Sequence, residues 1–180
     1  GAVLLHSPGE EAHHRRVLGQ VVGQPGLEME PGDPEDRQHG EQAAAENTVT
    51  VAYNGPLFAQ GRLDIEGAPD DMAGVRFRAA LCRCGQSKNK PFCDNSHATA
   101  RFEDPGAVGE RGDGLSVRGG PLKVKPIADG PLMLDGNLSI RASSGRVAWE
   151  GGKTWLCRCG ESKNKPFCDG SHKAAGFKSD

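Results

Sequence analysis

Short runs of alternating apolar and polar residues recur in the second two thirds of the chain. Leu63 and Ile65 flank one polar residue, and Leu138 and Ile140 do the same. A period of two is typical of a strand with one buried face. Further extended segments are predicted at Thr48–Tyr53, Val75–Leu81, Lys123–Ile127 and Val147–Leu156. The pattern therefore predicts a mainly β fold, with short helices beginning near Asp94 and Asp169.

The chain repeats itself with a fixed period of 75 residues, and the alignment needs no gap. Fourteen of the sixteen positions from Cys82 to His97 are identical to those from Cys157 to His172. A Gly-Pro-Leu turn recurs with the same shift. A fixed period marks a duplicated structural unit. We therefore expect two small units of the same fold.

Composition divides the chain into four parts. Residues 1–47 are an acidic leader, and their proline and glycine content is typical of a segment that is partly loop or disordered. Residues 48–103 form the first repeat, and residues 123–180 form the second. The glycine-rich stretch 104–122 is interpreted as a connector between them.

The charge distribution limits the classes of function. The net charge of −2 combines −6 in residues 1–47 with +4 in residues 48–180, which argues against a nucleic-acid binder. No apolar run approaches the ~20 residues of a membrane span, so a soluble chain is expected. Four histidines of the leader have no ligand spacing around them and are interpreted as surface residues: His6, His13, His14 and His39.

The six cysteines form two identical patterns. Each pattern is Cys-x-Cys-x8-Cys, with a histidine after three further residues. Six cysteines also fit three disulfides, but a disulfide needs no histidine in register. Thiolate and imidazole are ligands that iron, copper and zinc accept. The candidate metal ligands are therefore Cys82, Cys84, Cys93 and His97, and then Cys157, Cys159, Cys168 and His172.

The spacing alone leaves two kinds of metal group open. Three thiolates and one imidazole fit one tetrahedral zinc ion, or a [2Fe–2S] cluster with two ligands on each iron. Zinc sites more often use Cys-x2-Cys, because both sulfurs must reach one ion. The tighter Cys-x-Cys spacing favours the cluster without excluding zinc.

A longer motif carries a family resemblance. The run Cys-Asp-Gly-Ser-His at 168–172 lies within C-x-C-x2-S-x3-P-x-C-D-G-S-H. This motif resembles the CDGSH iron–sulfur domain family, the NEET-type proteins. Residues 82–97 carry the same motif with Asn95 in place of glycine. The resemblance covers both repeats, about two thirds of the chain, but not residues 1–47.

The resemblance has implications for cofactor, fold and assembly. It implies one [2Fe–2S] cluster per motif, two in all, each held by the three cysteines and the histidine of that motif. The family fold is a small β-rich unit. Two-motif members resemble a joined homodimer, which implies a monomer with internal pseudo-two-fold symmetry.

Three functions follow as expectations. The first is electron transfer or redox sensing, and the second is transfer of [2Fe–2S] clusters to acceptor proteins. The third is a structural zinc module for protein interaction. The partners are redox or apo-acceptor proteins. No nucleophile–base constellation or phosphate loop is evident, so an enzyme is not expected. Thiolate ligands fit a reducing compartment, either the cytoplasm or an organelle matrix.

The loops around the ligands also carry basic residues. Arg83 and Arg158, with four lysines of the same loops, are expected to offset cluster charge or to contact an acidic redox partner. An ordinary solvated basic loop is the alternative. Ser87 and Ser162 are expected to hydrogen-bond the loop or a sulfur atom.

Overall fold

The computed structural model describes residues 42–179. The predicted leader lies outside this part except for residues 42–47, and the leader histidines His6, His13, His14 and His39 also lie outside it. The described part is mainly β with two short helices, as predicted. Its elements are β1 (Thr48–Val51), β2 (Leu57–Gln60), β3 (Arg62–Ile65), β4 (Arg78–Leu81), α1 (Ser96–Thr99), β5 (Pro121–Pro126), β6 (Leu132–Arg141), β7 (Val147–Leu156) and α2 (Ser171–Ala174).

The elements of the two repeats fall at equivalent positions. β2 and β3 of the first repeat correspond to the two halves of the single strand β6. The hinge between those halves is a glycine in both repeats, Gly61 with φ 136° and Gly136 with φ 138°. β7 spans the predicted residues, whereas β4 begins three residues later than predicted. Turns precede β4, and the Arg78 N–H donates to Gly74 O at 2.9 Å.

The two repeats share one sheet. Its strand order is β3-β5-β6-β1-β2-β4, with β7 also paired to β6. β1 lies parallel to the second half of β6, with Thr48 opposite Ser139. β3 lies parallel to β5, with Asp64 opposite Lys123. A shift of 75 residues converts one pairing into the other. The first strand of each repeat therefore pairs with the other repeat, β1 with the second half of β6, and β5 with β3.

The hydrophobic core is formed by apolar residues at equivalent positions of the two repeats. Leu63, Ile65, Leu138 and Ile140 are all buried, which confirms the alternation seen in the sequence. Each such side chain contributes about 1.5–3 kcal/mol by leaving water. β4 and β7 end at fully buried leucines, Leu81 and Leu156, which fix the chain directly before the first cysteine of each repeat.

The connector packs against the second repeat. The Gly114 N–H donates to Glu150 O at 3.1 Å, and the Ser143 N–H donates to Gly106 O at 2.9 Å. Val108 is buried in the core. Strand β5 already begins at Pro121, two residues inside the predicted connector. Within residues 42–179, no helix is long and apolar enough to span a membrane.

Candidate metal centres

The first two cysteines of each motif lie directly beyond a core strand. Cys82 and Cys157 are 1% exposed, and the second cysteine of each pair is also buried. The Sγ atoms of Cys82 and Cys84 lie 3.8 Å apart. Those of Cys157 and Cys159 lie 3.7 Å apart. The single intervening residue therefore directs both thiols of a pair to one point.

The third cysteine and the histidine form a second pair in each motif. The Cys93 N–H donates to Ala80 O at 2.8 Å, which returns the chain to the end of β4. A helix of four residues then brings His97 Nδ1 to 3.4 Å from Cys93 Sγ. In the second motif, His172 Nδ1 lies 3.5 Å from Cys168 Sγ. These pairs are half-buried, whereas the Cys-x-Cys pairs are buried.

The distances test whether the side chains fit a metal group. A tetrahedral ion with metal–sulfur bonds of about 2.3 Å holds two thiolates about 3.8 Å apart, and a thiolate and an imidazole about 3.6 Å apart. All four pairs match this spacing. Within residues 42–179, no three Cys, His, Asp or Glu side chains gather around a point suited to one ion. The donors therefore fit a metal group as two pairs in each motif.

Comparison with known proteins agrees with this arrangement. The family model described as the iron-binding zinc finger of CDGSH type matches residues 54–98 and 129–173, which together make half of the chain. The chain belongs to the CDGSH family. The two matches also confirm a tandem member. Membership of an iron-binding family indicates iron–sulfur cluster binding. A search of curated proteins gives no match.

Backbone amides point at the sulfur atoms of this CDGSH protein. Cys84 Sγ accepts from Gln86 N–H at 3.5 Å, and Cys93 Sγ accepts from Asn95 N–H at 3.4 Å. The second motif repeats both bonds, to Cys159 from Glu161 at 3.4 Å and to Cys168 from Gly170 at 3.4 Å. Such bonds favour the thiolate over the thiol and so prepare the sulfur for metal.

Four of the six cysteine thiols nevertheless have a raised pKa, which favours the protonated form. Burial raises the pKa of Cys93 and that of Cys168. Burial also raises the pKa of Cys159 to about 11. A hydrogen bond from Cys84 lowers the pKa of Cys82 to about 6, and the same bond raises the pKa of Cys84. A metal bound by Cys84, Cys93, Cys159 and Cys168 would therefore displace protons from these thiols.

An aspartate clamps each ligand loop. The Asp94 carboxylate accepts from Lys88 N–H at 2.8 Å and from Ser96 N–H at 3.0 Å. Asp169 makes the same two bonds in the second motif. The side-chain bond to Ser96 and these backbone bonds lower the pKa of Asp94. The clamp ties the start of the loop to the helix that carries the histidine.

The predicted serine bonds go to the loop backbone. The Ser87 hydroxyl donates to Phe92 O at 2.6 Å and accepts from Asn89 N–H at 3.0 Å. Ser162 makes the equivalent bonds.

Asn95 replaces the glycine of the motif in the first repeat. It has φ 69° where Gly170 has φ 88°, so asparagine keeps the left-handed conformation at this position.

The expectation that Arg83 and Arg158 contact a partner is wrong. Both are buried, and the Arg83 side chain is 0% exposed. Its Nε donates to Gly55 O at 3.0 Å, and Nη2 donates to Ala52 O at 2.6 Å. Both carbonyls belong to the turn that precedes β2, so the guanidinium is bound within the fold rather than facing solvent. The loop lysines Lys88 and Lys163 are exposed.

Two charged residues that contact the ligand loops belong to no sequence motif, so the sequence does not predict them. Asp104 pairs with the Arg83 guanidinium, and Glu110 accepts from the Asn164 side chain. One sequence feature could have drawn attention to Asp104. With the 75-residue shift it aligns with Ser179, so the two repeats differ in charge at this position. Phe102 and Phe177 are half-buried, and they lie under the guanidinium groups of Arg83 and Arg158 at 5.0 and 5.4 Å.

Proposed function

We propose that each repeat holds one [2Fe–2S] cluster through three cysteines and one histidine, and that the protein serves in electron transfer or redox sensing. The observation that carries the proposal is the division of each donor set into two pairs, each spaced for one tetrahedral ion. One zinc ion would draw all four donors of a motif together, whereas a two-iron group needs this division. A bound cluster supplies one-electron transfer.

The ligand set determines the charge that each site carries. Three thiolates give a site with two ferric irons and two sulfides a formal charge of about −1, by counting ionic charges, where four thiolates would give about −2. The smaller negative charge favours uptake of an electron. His97 and His172 therefore raise the reduction potential above that of an all-cysteine site. Their imidazoles can also take up a proton on leaving the metal.

Cluster transfer to an acceptor protein is a second candidate. The observation that favours it is the unequal burial of the two ligand pairs. Cys93 with His97, and Cys168 with His172, are half-buried, whereas the Cys-x-Cys pairs are buried. Each histidine lies on a helix of only four residues. Release would therefore start from the histidine side of each site.

The arrangement of the chain extends the proposal. The reciprocal pairings of β1 with β6 and of β3 with β5 support internal pseudo-two-fold symmetry. A single chain then supplies both halves of the sheet, which supports a monomer. All six cysteines are free thiols, which supports a reducing compartment, the cytoplasm or an organelle matrix. We propose redox or apo-acceptor proteins as partners and a role without catalysis.

Transfer and electron exchange are separated by two parallel assays on the loaded chain. One assay adds an apo four-cysteine [2Fe–2S] ferredoxin, and the other adds oxidised cytochrome c to the reduced protein. Electron transfer predicts rapid reoxidation with the visible spectrum retained, and no gain of iron by the ferredoxin. Transfer predicts bleaching of this protein as the ferredoxin gains iron. The variant His97→Cys/His172→Cys is the matched control, and it should slow transfer.

A further inference from the structure

We infer that the candidate site of the first repeat (the first site) and that of the second repeat (the second site) are electrostatically unequal. Asp104 neutralises Arg83 beside the second site. Ser179, at the position equivalent to Asp104, leaves Arg158 charged beside the first site. The inference rests on the proposed function. It predicts that the first site accepts an electron at a higher potential than the second.

Arg83 belongs to a neutral buried pair. Its guanidinium contacts the Asp104 carboxylate. Asp104 is itself held in place, since its N–H donates to Asn54 Oδ1 at 2.7 Å and its carboxylate accepts from Gly106 N–H at 2.9 Å. The positive charge of Arg83 is therefore cancelled within hydrogen-bond distance.

Arg158 makes the same two bonds to carbonyls but has no carboxylate in direct contact, and the Asp129 carboxylate acts on it only from a longer distance. Its Nε donates to Gly130 O at 3.0 Å, and Nη2 donates to Ile127 O at 2.5 Å. The residue equivalent to Asp104 is Ser179, whose hydroxyl bonds Asp129. Asp129 is exposed at its carboxylate and pairs with Lys178 at 2.7 Å. Among residues 42–179, no ion pair with the Arg158 guanidinium is seen.

Arg158 lies near the ligand loop of the first repeat, and Asp104, the partner of Arg83, lies against the ligand loop of the second. Lys90, from the first ligand loop, lies 5.9 Å from the Phe177 ring centroid, and that same ring lies 5.4 Å from Arg158. Burial lowers the pKa of Arg158, and the charges of Cys82 and Asp129 act in the opposite direction. On the opposite side, Asp104 lines a cavity of about 410 Å³ together with residues 160–163 of the second ligand loop.

Within the ligand motifs, residues 82–98 and 157–173, two further charge differences between the repeats have less effect. Glu161 stands where the first loop has Gln86, and Lys173 stands where it has Ala98. Both charged residues are exposed, and they have opposite signs, so solvent screens them and they offset each other. Arg158 is buried, where a charge acts more strongly because the local dielectric constant is lower.

The redox step has a simple balance. One electron from a one-electron reductant, dithionite in the test below, converts one of the two ferric irons of a site to ferrous. The site becomes more negative by one unit. An unneutralised guanidinium near the first site favours this change, whereas the neutral Arg83–Asp104 pair gives the second site no equivalent help.

The experiment is a redox titration of the full chain, monitored by electron paramagnetic resonance after the iron and sulfide content has been measured. Dithionite with mediators is the titrant. The variant His97→Cys moves the wave of the first site and so assigns it. We expect two waves, with the first site at the higher potential. One shared wave or the reverse order would overturn the inference.

Two substitutions test the cause of the difference. Asp104→Asn removes the charge with little change of shape and should raise the wave of the second site. Ser179→Asp adds a carboxylate at the equivalent position and should lower the wave of the first site. Asp135→Asn, at an exposed carboxylate paired with Lys153, is the control and should leave both waves in place.

The outcomes separate this inference from the proposed function. If Asp104→Asn and Ser179→Asp move neither wave, the inference is wrong, while two loaded sites keep the proposed function intact. If Asp104→Asn does not load iron, the Ser179→Asp shift decides. A chain without iron and sulfide would overturn both.

Discussion

The backbones of Cys84 and Cys159 pair in an isolated antiparallel bridge, so a candidate ligand of one motif lies directly against a candidate ligand of the other. The next residue in each loop is a glycine with a positive φ, Gly85 at 81° and Gly160 at 87°. A Cβ at Gly85 would lie 2.5 Å from Cys159 O, and one at Gly160 would lie 2.7 Å from Cys84 O. The two ligand loops therefore share one close contact.

Gly85→Ala should reduce iron loading at both sites, although it changes only the first loop. The new methyl group must displace the backbone of Cys159, and the left-handed φ adds strain of about 1 kcal/mol or more. The measurement is iron and sulfide per chain after identical reconstitution. Gly152→Ala is the control, because a Cβ there meets nothing within 4 Å. Loss of one site alone would show that the loops are independent.

His97→Cys/His172→Cys should make the sites harder to reduce and slower to lose in acid. A fourth thiolate adds negative charge, which moves the potential toward the about −400 mV of all-cysteine plant-type sites. It also removes the imidazole, the one ligand of each site that acid can displace more easily than a thiolate. The measurement is the decay of visible absorption at pH 5.5. Unchanged acid loss would refute the role of the histidines.

The close pairing of the candidate donors could be predicted better than their surroundings. The cysteine spacing and the 75-residue repeat led to these pairs, because metal chemistry restricts residue type and spacing strongly. The sharing of strands between repeats was not predictable, since alternation shows which face is buried but not which strand lies alongside. Arg83 was misplaced because a charged residue in a loop is usually exposed, and Asp104, its partner, is distant in sequence.

Arg83→Met should destabilise the fold more than Arg158→Met. Loss of Arg83 leaves the Asp104 carboxylate, which is 11% exposed, without its counter-charge, at a cost of up to about 3–5 kcal/mol. Loss of Arg158 leaves two carbonyls without donors, at a cost of about 1–3 kcal/mol, but no carboxylate loses a direct partner. The measurement is the thermal unfolding midpoint by circular dichroism. Equal midpoints for the two variants would argue against a buried pair between Arg83 and Asp104.

Asp94→Asn should lower stability at neutral pH but not at strongly acidic pH. The hydroxyl and N–H of Ser96 and the N–H of Lys88 lower the pKa of this carboxyl. A lowered pKa contributes stability above the unfolded value of about 3.9, and this contribution is lost as the pH falls through the folded value. Unfolding midpoints measured in steps from pH 7 down to pH 2 test this, with Asp70→Asn, in an exposed turn, as the control. The difference between Asp94→Asn and the unchanged chain should shrink steadily below about pH 4, and a difference that stays constant over this range would contradict the carboxylate clamp.

Each repeat is proposed to hold a two-iron cluster on two ligand pairs. The most direct measurement is the visible absorption spectrum of the freshly purified chain, together with its iron, zinc and sulfide content. A red protein with about four irons and four sulfides per chain is the predicted result, since each site takes two of each. A colourless protein with about two zinc ions, which also fails to take up iron and sulfide on reconstitution, would contradict the claim and favour a structural zinc module.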